Sequence, residues 1–172
     1  MKKVCVIGNL NVDLLMGPFD QTPEWGKERI VRHFQLKVAG QIGYIALALA
    51  NLGVEVDIIA NVGDDYYGRF ILQEMEKFNI NIQGIKVIKD IPTGVTVSLV
   101  NKEGERTLVS YPGSIEYFKE EEIKEKWQLI EECEYVIFNG CFLMPEINFG
   151  RLLAQIQSCE KNYYLRHRMG PL

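Results

Sequence analysis

The sequence has few of the residues that build metal sites and disulfide frameworks. Two histidines and four cysteines occur in 172 residues. The cysteines are far apart, form no Cys-x-x-Cys pair and have no paired histidines; they are Cys5, Cys133, Cys141 and Cys159. This spacing disfavours a zinc site and a disulfide framework, and buried thiols in a reduced protein explain it better. We therefore predict a cytoplasmic protein without a structural metal ion.

Long apolar runs and an excess of positive charge are also absent. The apolar stretch Ile42–Ala50 falls well short of the roughly 20 residues that a membrane-spanning helix needs. The apolar run after Met1-Lys2-Lys3 is too short for a secretory signal. The formal net charge is −4, which argues against a nucleic-acid-binding surface. We expect neither a membrane nor a nucleic acid among the partners.

The glycine-rich loops that bind nucleotide phosphates are missing. No Gly-x-Gly-x-x-Gly follows the first apolar run, and Gly-x-x-x-x-Gly-Lys-[Ser/Thr] does not occur. An independent nucleotide-binding protein of either type is therefore disfavoured. With 47% hydrophobic and 24% charged residues, the composition is that of an ordinary globular domain.

What the sequence does contain is an alternation of strand and helix patterns. Short, continuously apolar runs predict buried strands, and longer proline-free runs between them predict helices. The predicted strands are 3–7, 55–62, 85–88 and 135–138, and the predicted helices are 41–52, 66–78, 119–133 and 149–159. This order is typical of a parallel α/β sheet.

Three further segments break this order. Residues 29–38, 93–100 and 106–111 alternate polar and apolar side chains, and the last two flank the turn Asn101-Lys102-Glu103-Gly104. Such alternation predicts a separate small sheet with one wet face. A sheet over the carboxyl ends of the parallel strands would lie where open α/β sheets bind ligands.

The first candidate site residues follow the first strand directly. In Gly8-Asn9-Leu10-Asn11-Val12-Asp13, the side chains of Asn11 and Asp13 project from the same side of an extended chain. Together they supply the hydrogen-bond donors and acceptors that a polyhydroxylated ligand needs. The alternative is an Asx-turn that only closes the loop.

Two more candidates lie at the starts of predicted helices. Ala39-Gly40-Gln41-Ile42-Gly43-Tyr44 combines small residues, which admit a ligand close to the backbone, with the free N–H groups of a helix start. Close packing of the helix against the sheet explains the same residues equally well. In Gly63-Asp64-Asp65, an aspartate before a helix is more often an N-cap than a binding residue.

In combination, these segments resemble the N-terminal part of the ribokinase-like (PfkB) sugar kinases over about residues 3–160. Each segment is a weak signal alone, but five of them in the family's order and spacing are a strong one. The matching segments are Gly8–Asp13; Ala39-Gly40 with Ala46, Gly53 and Gly63; Gly63-Asp64-Asp65 with Gly68; Pro92-Thr93-Gly94; and Gly104-Glu105-Arg106. The last two resemble the hairpin of the lid that covers the substrate in this family.

The resemblance implies a ribokinase-like fold, in which a parallel-sheet α/β layer structure carries a small β lid from about residues 14–38 and 91–113. It also implies a sugar-like, hydroxyl-rich small-molecule substrate. The candidate substrate-binding residues are Asn11, Asp13, Ala39, Gly40, Gln41, Tyr44, Thr93, Arg106 and Asn139. Tyr44 departs from the family pattern, which usually has asparagine there, and offers an aromatic ring and one hydroxyl instead.

The family's catalytic segment has no counterpart in the sequence. In the family, an Asp-Thr-x-Gly-Ala-Gly-Asp segment supplies the anion hole and the general base, and nothing similar occurs here. The resemblance implies ATP and Mg²⁺ as cofactors, but with no site for them in this chain. We therefore expect a single incomplete domain over residues 1–172, truncated before the nucleotide-binding half and inactive as a kinase. A non-catalytic binding or assembly module is the alternative.

Two features predict self-association. A parallel sheet that lacks half of its cover exposes a strand edge and an apolar face, which proteins usually hide by pairing. Lids in the resembled family often pair across a dimer, which implies a homodimer or a higher homo-oligomer. Residues 162–172 are basic and poor in β-branched side chains, so we expect an atypical tail there rather than a buried strand.

Overall fold

The computed structural model describes residues 2–159 and 161–166, and these residues form two separate sheets. The strands of the main sheet are β1 (Lys3–Gly8), β4 (Glu55–Gly63), β5 (Asn81–Ile88), β8 (Tyr135–Asn139) and β9 (Asn162–Arg166). They are parallel throughout and have the order β5-β4-β1-β8-β9. The predicted parallel α/β sheet is confirmed.

The second sheet, called the lid sheet below, contains four strands. They are β2 (Asn11–Phe19), β3 (His33–Ala39), β6 (Val95–Asn101) and β7 (Arg106–Tyr111), in the order β3-β2-β6-β7. Strands β2 and β6 are parallel, and the other two pairs are antiparallel. The separate small sheet that the polar–apolar alternation predicts is therefore also confirmed.

Strand β2 is not evident from the sequence pattern. Gly17 and Pro18 interrupt its alternation, and its register with β6 shifts between Met16 and Phe19. Gly17 still pairs with His33 on β3, so the interruption is an irregularity within the strand rather than its end.

Helices pack on both faces of the main sheet. On one face, α1 (Gln41–Asn51) and α2 (Tyr66–Lys77) cover a core that includes Val6 and Ile58. Residues Ile7 and Ile59, the next along each strand, point to the opposite face and its separate core. None of the helices in the described part of the chain is long and apolar enough to span a bilayer.

The opposite face is covered by α3 (Glu120–Glu125), α4 (Trp127–Glu131) and α5 (Phe149–Ser158). Their buried residues Ile123, Ile130 and Ile156 belong to the second core. The single helix predicted over 119–133 is thus two short helices, which meet at Lys126.

Strand β9 occupies a segment for which the sequence pattern predicts an atypical tail. It pairs in parallel with β8 and forms an edge of the main sheet. This edge position explains its composition, because the side chains of Tyr163 and Tyr164 remain exposed. The rest of the predicted tail, residues 167–172, lies outside the described residues.

The lid sheet is joined to the rest of the protein at the carboxyl edge of the main sheet. Only two residues separate β1 from β2, and β3 leads into α1 through Gly40. Before β6, Thr93 Oγ1 accepts a hydrogen bond from Gly63 N, and after β7, Ser114 Oγ donates to the carbonyl oxygen of Asn61. All four passages between the lid sheet and the body therefore lie beside the ends of the main strands, where most of the candidate site residues are found.

Candidate functional site

Asn11 and Asp13 begin strand β2 just beyond the carboxyl end of β1. Both side chains lie on the same face of the lid sheet, because residues two apart on a strand share a face. Asn11 is buried, and its Oδ1 lies 2.8 Å from the position that a Cβ atom on Gly40 would take. The structure therefore places Asn11 directly against the start of α1.

Position 40 requires a glycine because of both its backbone conformation and the space around it. Its φ of +80° is one that L side chains rarely adopt, and an added Cβ would lie 2.3 Å from the carbonyl oxygen of Asn9. Its neighbour Ala39 is buried and pairs in register with Asn11. On the other side, Gln41 is exposed, and its backbone N–H donates to Asn9 Oδ1 at 3.1 Å.

A row of polar side chains links α1 to three strands of the lid sheet. Tyr44 Oη donates to Asp13 Oδ2 at 2.7 Å, and Asn11 Nδ2 lies 3.4 Å from Asp13 Oδ1. Asn11 Nδ2 also donates to Thr96 Oγ1 at 3.1 Å, and the hydroxyls of Thr96 and Ser110 are 2.9 Å apart. These five residues are called the polar row below. The strand register explains it, since Thr96 on β6 pairs with both Asp13 on β2 and Ser110 on β7.

The hydroxyl of Tyr44 is held in its protonated form. Burial and then the hydrogen bond to Asp13 raise the pKa of the Tyr44 phenol well above its ordinary value, and the charge of Arg106 opposes this shift. The phenol is therefore a hydrogen-bond donor at neutral pH. The residue is 49% exposed, so part of it is accessible to solvent.

Two cations share a face of the lid sheet with the polar row. Lys37 on β3 pairs in register with Asp13, and Arg106 lies four residues before Ser110 on β7. Both are exposed. Arg106 lies toward the tip of the lid, yet its charge reaches the Tyr44 hydroxyl strongly enough to affect the pKa.

The floor below the polar row is formed by the ends of β1 and β8. Gly8 pairs in register with Asn139, whose carbonyl oxygen accepts a hydrogen bond from Asn9 N at 3.3 Å. Asn139 is buried, and its Oδ1 accepts from the backbone N–H of Gly140 at 3.0 Å. Asn139 thus fixes the chain where it leaves β8.

Asn9 is a residue of this floor that the sequence interpretation missed. It is buried, its side chain accepts from Gln41 N, and its carbonyl oxygen accepts from Ile42 N. It therefore caps the start of α1 from the end of β1. The signal was present in the sequence, because Asn9 is the first polar residue after the apolar strand.

Thr93 directs its side chain to the end of β4 and the start of α2. It is fully buried; its Oγ1 accepts from Gly63 N at 2.9 Å and donates to Asp65 Oδ1 at 2.7 Å, and its N–H donates to Asp65 Oδ2 at 2.8 Å. Asp65 also accepts from Gly68 N and is the N-cap of α2, as its position before a helix predicts. The structure gives Thr93 a structural role at the base of the lid.

The remaining predicted residues fall into two groups. Those around the ends of β1, β3 and β8 and the start of α1 are brought together: Asn11, Asp13, Ala39, Gly40, Gln41, Tyr44 and Asn139. Arg106 lies farther out on the lid sheet. Within residues 2–159 and 161–166, no group of three His, Cys, Asp or Glu side chains is placed to hold a metal ion.

Comparison with known protein families agrees with this geometry. The profile of the pfkB family carbohydrate kinases matches residues 1–164, which is nearly the whole chain. The chain belongs to the pfkB family.

Curated relatives of this pfkB-family chain are sugar kinases. The ATP-dependent ribose-1-phosphate kinase of Halopiger xanaduensis is 29% identical over 126 residues, which cover 73% of this chain and 42% of that protein. The ribokinase of Bacillus subtilis is 30% identical over 114 residues, which cover 66% of this chain and 38% of that protein. The chain therefore spans about two fifths of the length of these relatives.

A solved structure shows the same fold. Arabidopsis thaliana ribokinase, complexed with ribose and ATP, superposes with a TM-score of 0.78 over 95% of this chain and 53% of that chain, at 16% identity. The fold of this pfkB-family chain is therefore ribokinase-like, as the sequence motifs imply.

Proposed function

We propose that this chain is the sugar-binding part of an ATP-dependent kinase that transfers phosphate to an alcohol group of a sugar or a related hydroxyl-rich molecule. The observation that carries this proposal is the polar row, which gathers a carboxylate, an amide and three hydroxyls where the two sheets meet. A few converging polar groups in a cleft are typical of small-molecule sites. Membership of the pfkB family and the names of its relatives give the reaction class.

Each residue of the proposed site has a distinct role. Asp13 is the acceptor for sugar hydroxyls, because it is half-buried and its carboxylate lies in the polar row. Buried Asn11 orients Asp13 and packs against Gly40 at the start of α1. Asn139 supports the floor, and Arg106 contacts the ligand from the lid.

ATP and Mg²⁺ are the proposed cofactors of the whole kinase, in which ATP supplies the phosphoryl group. The residues of this chain do not supply the family's anion hole for that complex, since the sequence contains no Gly-Ala-Gly-Asp segment. Phosphoryl transfer depends on positioned cations and an anion hole. We therefore propose that nucleotide and metal bind to residues outside this chain and that the chain alone transfers no phosphate.

Isothermal titration of the 172-residue chain with ribose, fructose, a nucleoside and ATP tests this function. We expect binding of at least one sugar-like ligand and no binding of ATP. Asp13→Ala should weaken sugar binding about ten-fold or more, because a hydrogen bond to a charged group contributes roughly 1.5–3 kcal/mol. Asp20→Ala is the matched control, because Asp20 is exposed on the lid loop and forms an ion pair with the exposed Lys102.

Two results would contradict these proposals separately. A chain that binds none of the sugars would refute the sugar-binding role. ATP-dependent phosphorylation of a sugar, in a preparation free of host kinases, would refute the proposed inactivity.

An apolar face of the lid sheet favours a second function, assembly with another copy of the chain. On the face opposite the polar row, Phe34 pairs with Met16, and Val97 pairs with Val109. Phe34 and Val109 are both mostly exposed. A contiguous apolar strip of this kind is usually covered in solution. We propose that it pairs with the same strip of a second chain, which gives a symmetric homodimer.

A further inference from the structure

In the site proposed above, one oxygen of Asp13 is already occupied by a neighbouring side chain. Tyr44 Oη donates to Asp13 Oδ2 at 2.7 Å, a short hydrogen bond between a neutral donor and a carboxylate. The other oxygen, Oδ1, has a weak partner in Asn11 Nδ2, at 3.4 Å. The two oxygens of this carboxylate therefore differ in their availability to a ligand.

This difference affects which sugars the carboxylate can bind. A carboxylate binds two neighbouring hydroxyls best when each oxygen accepts from one of them, as in other bidentate contacts. In this chain a hydroxyl can approach Oδ1 directly. A second hydroxyl would have to share Oδ2 with Tyr44 or displace it.

Displacement of Tyr44 is opposed by its position. Tyr44 lies in the first turn of α1, whose neighbouring residues Ile42 and Gly43 are buried against the core. The helix therefore fixes the base of the side chain. Because burial and Asp13 raise the pKa of the phenol, its proton stays on the oxygen and the hydrogen bond persists through neutral pH.

The ring of Tyr44 also determines what lies beside Oδ2. An aromatic ring is apolar on its faces, so a CH₂ group packs against it without loss. A ligand hydroxyl in the same place would lose hydrogen bonds to water without gaining an equivalent partner.

We propose that Tyr44 is a specificity-determining residue that makes the site prefer a sugar with one hydroxyl at Asp13 beside a CH₂ group, a deoxy sugar, over a sugar with a vicinal diol there. The inference rests on the proposed sugar-binding function and names the substrate class of that site. Tyr44 acts both by occupying Asp13 Oδ2 and by its ring.

D-Ribose and 2-deoxy-D-ribose test this preference, because they differ only in one hydroxyl. We expect the 172-residue chain to bind deoxyribose about ten-fold more tightly than ribose. This ratio lies within the range of affinity differences that one unsatisfied polar group causes in a binding pocket. Tyr44→Phe keeps the ring and frees Oδ2, so the ratio of the two affinities should shift toward ribose by several-fold. Tyr66→Phe is the matched control, since Tyr66 is an exposed tyrosine at the start of α2.

The outcomes separate this inference from the proposed function. If the wild-type chain binds neither sugar, the sugar-binding function fails and the inference fails with it. If the chain binds both sugars but prefers ribose, or if Tyr44→Phe leaves the ratio unchanged, only the role of Tyr44 is refuted. Circular dichroism and the thermal midpoint of Tyr44→Phe, measured beside the control variant, exclude misfolding as the cause of a shifted ratio.

Discussion

Thr93 and Asp65 are joined by two hydrogen bonds, one from the threonine hydroxyl to Asp65 Oδ1 and one from the threonine N–H to Asp65 Oδ2. The same hydroxyl accepts from the backbone N–H of Gly63. This small network ties the start of the lid hairpin to the end of β4 and the start of α2.

Thr93→Val should lower the free energy of unfolding by about 1–3 kcal/mol, because the buried N–H of Gly63 loses its acceptor. Urea denaturation measures the change. The exposed Thr107 on β7 provides the control, and Thr107→Val should have little effect. Equal effects of the two substitutions would show that the network adds no stability.

We expect the buried, ion-paired Glu120 to make a pH-dependent contribution to stability. It is 3% exposed, and hydrogen bonds from Arg151 and then Lys124 lower its pKa from 4.5 to about 2. Because the pKa is lower in the folded state, ionised Glu120 stabilises the protein above about pH 4.5, and this contribution is lost as the pH falls toward 2.

Glu120→Gln should therefore lower the free energy of unfolding at pH 7 by roughly 1–3 kcal/mol, and the difference from wild type should shrink between pH 4.5 and pH 2. Urea titrations at several pH values measure it, with the exposed neighbour Glu121→Gln as the control. A difference that stays constant with pH would assign the loss to packing rather than to charge.

We expect a substitution of the buried Asn61 to stabilise the protein. Its side chain is 2% exposed, and neither of its amide atoms has a hydrogen-bond partner in the described part of the chain. An unpaired buried amide is costly, so Asn61→Leu, whose side chain has the same branching and the same number of heavy atoms, should raise the free energy of unfolding by about 1–2 kcal/mol. A lower urea midpoint for Asn61→Leu would instead indicate that an ordered water or another group satisfies the amide.

The proposed homodimer can be tested by light scattering at micromolar concentration. We expect about twice the 19.8 kDa mass of one chain, and Val109→Lys should shift the population to monomer, because a buried charge at the strip would be unpaired. Leu52→Lys is the matched control, since Leu52 is a highly exposed leucine at the end of α1. A wild-type chain that scatters as a monomer would refute the assembly.

The sequence predicts the two sheets because their strands differ in pattern. The run Val4–Ile7 is continuously apolar and lies between two covered faces, whereas Arg106–Tyr111 mixes polar and apolar residues in a sheet with a wet face. The pattern of polar and apolar residues along a strand depends on whether each face of that strand is buried or exposed. A single sequence therefore shows it. Strand β9 was missed because an edge strand does not need a buried composition.

The partners of the site residues were less predictable. Tyr44 meets Asp13 across 31 positions of the chain, and Thr93 meets Asp65 across 28. Local patterns suggest that a residue is polar and near a strand end, but they do not say which distant group it will bond. The family resemblance implies that Thr93 binds the substrate, and in the structure its hydroxyl bonds to Gly63 and Asp65.

The way in which the lid sheet is attached gives its two ends different mechanical roles. All four passages to the body lie along its base, so the sheet resembles a flap with a single pivot line. Asp13 and Ser110 lie near this line, whereas Arg106 is four residues farther along β7, a lever arm of about 13 Å. A small tilt would move Arg106 farther than Asp13. The proposed ligand contact of Asp13 would therefore depend little on the angle of the sheet, whereas the proposed contact of Arg106 would depend on it strongly.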